Sequence, residues 1–279
     1  MLPLLHTKLV AKLCVAAVLP FVAAVYSIPD RPVSSLQDGF AVVIPSHETT
    51  YRLAGEFTRD GRPVNAPLIK KGHEGLVVMK TQVSAGDYDR CVREGACRAT
   101  DGRAGRSPDR PIVGVSWEDA IAYARWFSGR NGQEWRLPTD EEWAFFAAER
   151  FNDDAVRAGG DGFSERWLAK YESEASRDLA VERTVQPIGT FGMNTLGLAD
   201  VAGTVWEWTD TCFTRQRIGT DGMAPDKPIE NCGVRVVEGR HRAYVTNFVR
   251  DARAGGCAVG VPPANLGFRL VRSIEAKPH

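Results

Sequence analysis

The chain has 279 residues and a mass of 30.6 kDa, with 43% hydrophobic, 25% charged and 9% aromatic side chains. That composition is globular and excludes intrinsic disorder, collagen-like repeats and a multi-span membrane protein. Lys plus Arg number 35 and Asp plus Glu number 35, so the basic surplus expected of a nucleic-acid binder is missing.

The N-terminus reads as an address. His6, Lys8 and Lys12 precede an uncharged run from Leu13 to Val25, and Val25-Tyr26-Ser27 supplies small residues at cleavage spacing. This pattern predicts a secretory signal peptide over residues 1–27. The run falls short of the roughly 20 residues of a spanning helix. An uncleaved anchor with a snorkelling Lys12 is the alternative, and the only expected route to a membrane. Pro20 argues against a buried core helix. The expectation is an exported protein, periplasmic or otherwise extracytoplasmic. Residues 28–71, which carry Pro29, Pro32 and Pro45 among polar residues, read as a linker and N-terminal extension. The domain proper is expected over 72–273, with a tail at 274–279.

Export changes how the cysteines read. Beyond Cys14 there are Cys91, Cys97, Cys212, Cys232 and Cys257, which an oxidising compartment tends to pair. Cys91 and Cys97 enclose a short loop with Gly95 at its turn, so they are expected to bond. Cys212 with Cys232 is the next expected pair, since both lie beside predicted strands. Cys257 is then odd, either a free thiol or the replacement for one partner. No C-x-x-C motif points to zinc or to thioredoxin chemistry.

Leu76 to Lys80 is the first clear strand. A short helix is expected over Val83 to Cys91, opening at Ser84 with Asp87 in capping-box position. Ser116-Trp117-Glu118-Asp119 is a second helix start, with Ala120, Ile121, Ala124 and Phe127 on its buried face and Gly132 at its stop. Thr139 with Glu142 opens a third helix, whose inward stripe is Trp143, Phe146 and Ala147. These carboxylates read as caps, not as catalytic groups. Phe151 to Arg183 is an excursion in which Arg166-Trp167-Leu168 and Tyr171 suggest a surface helix. Short strands are expected at Pro187–Gly189, Trp206–Thr209, Arg235–Glu238 and Phe268–Arg272. Short strands, many glycines and few strong helices describe an α+β domain with much irregular chain, which must carry its function on loops.

Three segments together resemble one family. They are Val115-Ser-Trp-Glu-Asp-Ala120 running on to Trp135-Arg-Leu-Pro-Thr-Asp-Glu-Glu-Trp143, then Asn194-Thr-Leu-Gly-Leu-Ala-Asp-Val-Ala-Gly-Thr-Val-Trp-Glu-Trp208, then Asn265-Leu-Gly-Phe-Arg269. The chain is similar to the sulfatase-modifying-factor domain of formylglycine-generating enzymes over roughly Leu76 to Arg272. The resemblance implies an α+β, C-type-lectin-like fold with two main helices, small antiparallel sheets and much loop. Trp206 and Trp208 share one side of a strand while Glu207 faces the other, and the tryptophans read as core. In the family the Gly-Asn-x-Trp-Glu segment helps to bind calcium. Here that implies calcium at Gly203, Thr204 and Glu207, with Thr204 a poorer hard-cation ligand than the amide it replaces.

The resemblance also implies where the chemistry should be, and there the chain departs from it. Formylglycine-generating enzymes carry two cysteines a few residues apart after an Arg-x-x-x-Gly-Gly-Ser strand, and those soft thiolates hold copper. The matching stretch, 235–251, contains no cysteine, so copper-dependent formylglycine formation is not expected. A polar cluster stands there instead. His241, Tyr244 and Asp251 are candidate catalytic residues, with His241 as general acid or base. Arg240, Arg242, Asn247, Arg250 and Arg253 are candidate ligands for carboxylate, sulfate or phosphate. Arg240, His241, Arg250 and Arg253 are expected to line one pocket. The bland alternative is a hydrogen-bonded surface histidine among solvated arginines. Two functions follow: a maturation or ligand-binding factor that holds a peptide, a protein or a small anionic ligand in an Arg/His-lined cleft, or a diverged metal-dependent tailoring oxidoreductase with His241 in its site.

Overall fold

The structure is a computed structural model that describes residues 39–100, 107–152, 163–179, 184–219, 227–255, 258–259, 262–263 and 265–274. All of these lie in the second of two units, Met1–Arg31 and Pro32–His279. The predicted signal segment with Cys14, the Gly159–Gly162 run, Cys257 and the tail from 275 lie outside the described residues.

Six strands open the described chain: β1 (Ala41–Ile44), β2 (His47–Arg52), β3 (Glu56–Arg59), β4 (Arg62–Val64), β5 (Leu68–His73) and β6 (Leu76–Met79). Four helices follow: α1 (Ala85–Arg93), α2 (Trp117–Asn131), α3 (Asp140–Ala147) and α4 (Phe163–Leu179). The rest is β7 (Trp206–Arg217), β8 (Ile229–Glu238), β9 (Ala243–Thr246), the one-turn α5 (Ala252–Gly255), β10 (Ala258–Val259), β11 (Leu266–Gly267) and β12 (Val271–Ser273).

The helix starts are set by the caps that the sequence writes. The Ser84 hydroxyl accepts from Asp87 N at the head of α1. Ser116 with Asp119 and Thr139 with Glu142 form reciprocal capping boxes on α2 and α3. Gly132 ends α2 at φ 71, a left-handed position that costs glycine nothing. Aromatic burial then fixes the helices against the sheets. Tyr123, Phe127, Trp135, Trp206, Trp208 and Phe268 share one cluster, and Trp143, Phe146, Leu198 and Val271 share a second with Val78 of β6. Trp143, Trp206 and Trp208 are fully buried, each giving roughly 4–6 kcal/mol of gross burial.

The sheets tie the ends of the chain together. β1, β6 and β12 form one three-stranded sheet, and β10-β9-β8-β7-β3-β4 is the main path of the larger sheet, with β11 parallel to β7. β2 and β5 form a separate antiparallel ribbon. This corrects the expected start of the domain at 72. Residues 41–44 pair with β6, and β3 lies parallel to β7 from Glu56↔Arg215 to Thr58↔Arg217. The stretch reads as linker because its strands are polar on one face and bury single residues such as Ile44, Tyr51 and Phe57. Pro187–Gly189 is a turn, since Pro187 O accepts from Thr190 N. Of the last expected strand, Phe268–Arg272, only Val271 and Arg272 are in a strand (β12), and residues 268–270 connect β11 to β12. α4 lies on the surface with Trp167, Leu168 and Tyr171 exposed.

Both disulfides are formed. Cys91–Cys97 closes the loop after α1 with both residues buried. Cys212–Cys232 joins β7 to β8 beside a register shift, with Cys212 half-buried and Cys232 exposed. Among the described residues no helix is long and apolar enough to cross a membrane.

Candidate functional site

The polar segment after β8 is built around Trp206. Val237 pairs with Ala243, so residues 238–242 form the turn between β8 and β9. Gly239 lies flat on the indole, where a Cβ would fall 2.7 Å from the ring. Trp206 Nε1 donates to His241 O at 2.9 Å, and the His241 ring stands edge-on to the indole at 5.1 Å. Arg240 lies over the same indole at 5.7 Å while its Nε donates to Gly203 O at 2.9 Å. Asn152 Nδ2 donates to Arg240 O at 2.9 Å.

Only part of the predicted cluster gathers there. His241 is buried; its Nδ1 lies 3.3 Å from Arg242 O, and its Nε2 has no hydrogen-bond partner. Arg242 is also buried and is neutralised. Its Nε donates to Glu238 Oε1 at 2.6 Å and lies 3.2 Å from Asp140 Oδ1, while Nη1 donates to Arg52 O at 3.0 Å. Arg242 therefore bolts the head of α3 and the end of β2 to the turn. The Tyr244 hydroxyl accepts from Gly55 N at 2.8 Å, and its ring meets Phe213 edge-on at 5.0 Å. Burial pushes the Tyr244 phenol above its ordinary pKa, against the pull of Arg242 and Lys170.

The remaining residues belong to other parts of the fold. Asn247 O accepts from Trp117 N at the start of α2, and Asn247 N donates to Gly233 O. Arg250 forks onto Asp119 at 2.7 and 2.8 Å and donates to Ala99 O at 2.9 Å. Burial alone would raise the Asp119 carboxyl, but the Arg250 guanidinium with the Ser116 N–H and hydroxyl holds it below the usual value. Asp251 is exposed and holds the exposed Arg253 at 3.1 Å. That hydrogen bond, opposed by slight burial, lowers the Asp251 carboxyl. β9 lies between these residues and the turn at 238–242 in the chain, and Arg250 and Arg253 are each held by their own carboxylate.

Glu207 faces away from the tryptophans, as the alternation requires, into a second buried knot. Its Oε1 accepts from Gln82 Nε2 at 2.8 Å and Arg269 Nη2 at 2.7 Å; its Oε2 accepts from Trp143 Nε1 at 3.1 Å and Arg269 Nε at 2.7 Å. Four N–H donors engage the lone pairs of this carboxylate, so it has none left for a hard cation. Thr204 is buried with its carbonyl accepting from Asn265 Nδ2 at 2.9 Å. As arranged, Thr204 and Glu207 do not fit calcium, and among the described residues no three His, Cys, Asp or Glu side chains converge as a metal site. Arg269 and Gln82 are partners of Glu207 that the motifs do not announce. The signal was the arginine closing the Leu-Gly-Phe-Arg segment, a residue type that seldom enters a core without a carboxylate.

An α+β domain with capped helices, small sheets and these two buried knots defines a class. The chain belongs to the family of sulfatase-modifying factor enzyme 1-like domains, whose sequence profile matches residues 36–274. It is 38% identical over 146 residues to the formylglycine-generating enzyme of Mycobacterium tuberculosis, covering 49% of this chain and 46% of that protein. Against the formylglycine-generating enzyme of Streptomyces coelicolor it is 30% identical over 192 residues, covering 65% and 57%. It is also 37% identical over 168 residues to the inactive C-alpha-formylglycine-generating enzyme 2 of Mus musculus, covering 58% and 49%. The chain spans about half the length of the curated relatives it matches. The structure of PvdO from Pseudomonas aeruginosa shares the fold at a TM-score of 0.54 and 19% identity, over 84% of this chain and 94% of that one. The fold is the C-type-lectin-like one that the sequence resemblance implies.

Proposed function

We propose that this protein is an exported, non-oxidising member of its family, acting as a maturation or ligand-binding factor for a peptide, a protein or a small anion. One observation carries the reading. Of six cysteines, Cys91, Cys97, Cys212 and Cys232 are spent in disulfides, and the segment 235–251 has no thiol. Only Cys14, inside the predicted signal segment, and Cys257 are left, so the pair of soft ligands that copper needs has no counterpart. The name of the Mus musculus relative supports the idea that this scaffold is kept without the oxidation.

The two disulfides and the basic, then apolar, N-terminus support export. Arg240 is the half-buried arginine of the turn at 238–242, beside the buried His241 and Arg242 in the chain. The test is to incubate the purified chain with copper and a cysteine-containing sulfatase peptide. No aldehyde is expected; aldehyde formation at turnover would overturn the reading. A metal-dependent oxidoreductase is the second reading, and it rests on the buried, unpartnered Nε2 of His241. Stoichiometric copper or iron that is lost in His241→Gln would select it.

A further inference from the structure

A cavity of about 170 Å³ opens where the chain leaves β6 and meets the first turn of α1. It lies apart from the turn at 238–242 and owes nothing to the reading above. Phe40, Met79 and Val83 form its apolar wall, and Lys80, Asp87 and Tyr123 its polar one. Tyr123 is 1% exposed, with its ring packed between Tyr88, Phe127 and Phe268; Gln82, equally buried, lines the same cavity, and its Oε1 has no hydrogen-bond partner among the described residues. A buried amide oxygen normally finds a partner, and this one lines a space where a ligand can supply it. Asp87 is near enough that its charge, after burial, pushes the Tyr123 phenol up, with Arg90 opposing. The Asp87 carboxylate also accepts the Ser84 hydroxyl at 2.8 Å. Lys80 is half-buried.

The geometry points to a binding site for a small zwitterion, a free α-amino acid with a short side chain. Its ammonium sits between the Asp87 carboxylate and the Tyr123 hydroxyl, its carboxylate meets Lys80, and its side chain lies on Phe40, Met79 and Val83. Size sets the limit. A cavity near 150 Å³ takes a benzene-sized molecule, well below the roughly 300–1,000 Å³ of pockets for larger ligands. Alanine, serine, cysteine and valine are in range, whereas tryptophan is too large. Opposite charges on the polar wall favour the zwitterion over either half of it.

Isothermal titration of the full chain with L-alanine, L-serine and L-valine tests this, with methylammonium and acetate as the half-ligands. Saturable binding of at least one amino acid is expected, with each half-ligand weaker by about tenfold or more, since one charge-assisted hydrogen bond carries that much. Tyr123→Phe keeps the ring packing and is expected to weaken binding several-fold. Asp87→Asn leaves the Ser84 cap on the backbone and is expected to weaken it by about tenfold. No saturable binding of any of the three up to about 10 mM, or binding equal in the wild type and both variants, overturns the proposal.

Discussion

Arg269 and Glu207 form a bidentate ion pair in which neither side chain has any solvent exposure, with Nε–Oε2 and Nη2–Oε1 both at 2.7 Å. The pair joins the end of the Leu-Gly-Phe-Arg segment to β7, and Arg269 Nη2 also donates to Ala199 O at 3.0 Å. Removing one partner leaves a buried charge uncompensated. Arg269→Met is therefore expected to cost about 3–5 kcal/mol, read as a fall in the denaturant midpoint. Adding Glu207→Gln is expected to recover part of that loss, because the uncompensated charge goes with it. An additive double mutant would show that the two groups are not coupled.

The two capped helices make the protein sensitive to acid. Asp119 and Glu142 lie below their ordinary values: burial opposes this in each, and the hydrogen bonds to Arg250 and Arg136 outweigh it. A carboxyl depressed on folding adds stability that is full above its unfolded value, about 3.9 for Asp and 4.3 for Glu. That stability is lost as pH falls through the lower folded value. Asp210 runs the other way, raised by burial against Arg235 and Arg136, and partly offsets them. The urea midpoint is expected to be flat near neutrality and to fall below about pH 4. Arg250→Met should lower the plateau and shallow the fall; an unchanged acid limb contradicts the assignment.

Accessibility orders the disulfides. Cys232 is exposed and Cys212 half-buried, while Cys91 and Cys97 are both buried. Exchange needs access to a sulfur. Graded reduction with alkylation and mass mapping is expected to label Cys212 and Cys232 first. Earlier or equal labelling of Cys91 and Cys97 would refute the packing around α1.

Gly239 tests the turn itself. A methyl group there meets the rigid, buried indole of Trp206 at 2.7 Å, and overpacking of this kind costs about 1–3 kcal/mol. Gly239→Ala is expected to lower Tm and to change the near-UV signal of Trp206. A variant as stable as the wild type would mean that the turn does not lie on the indole.

Much of this fold is legible because the decisive signals are local. Ser84, Ser116 and Thr139 announce their helices through carboxylates three residues on, and the loop between Cys91 and Cys97 is short enough to suggest the bond. The strands before residue 72 are not legible, because their pairing is non-local: β3 is held by β7, 159 residues further on. The candidate site was half legible. His241 and Arg242 do sit together with Arg240, since a turn keeps neighbours close. Arg250 and Arg253, which follow an intervening strand, are held instead by Asp119 and Asp251.

Copper retention under reduced and oxidised conditions, with a free-thiol count on the same oxidised sample, bears most directly on the claim that this protein does not oxidise cysteine. At most one reactive thiol, Cys257, is expected in the chain without its N-terminal segment, and no stoichiometric Cu(I) with the disulfides intact. Two reactive thiols binding one Cu(I) in the oxidised protein would contradict it and return the chain to oxygen chemistry.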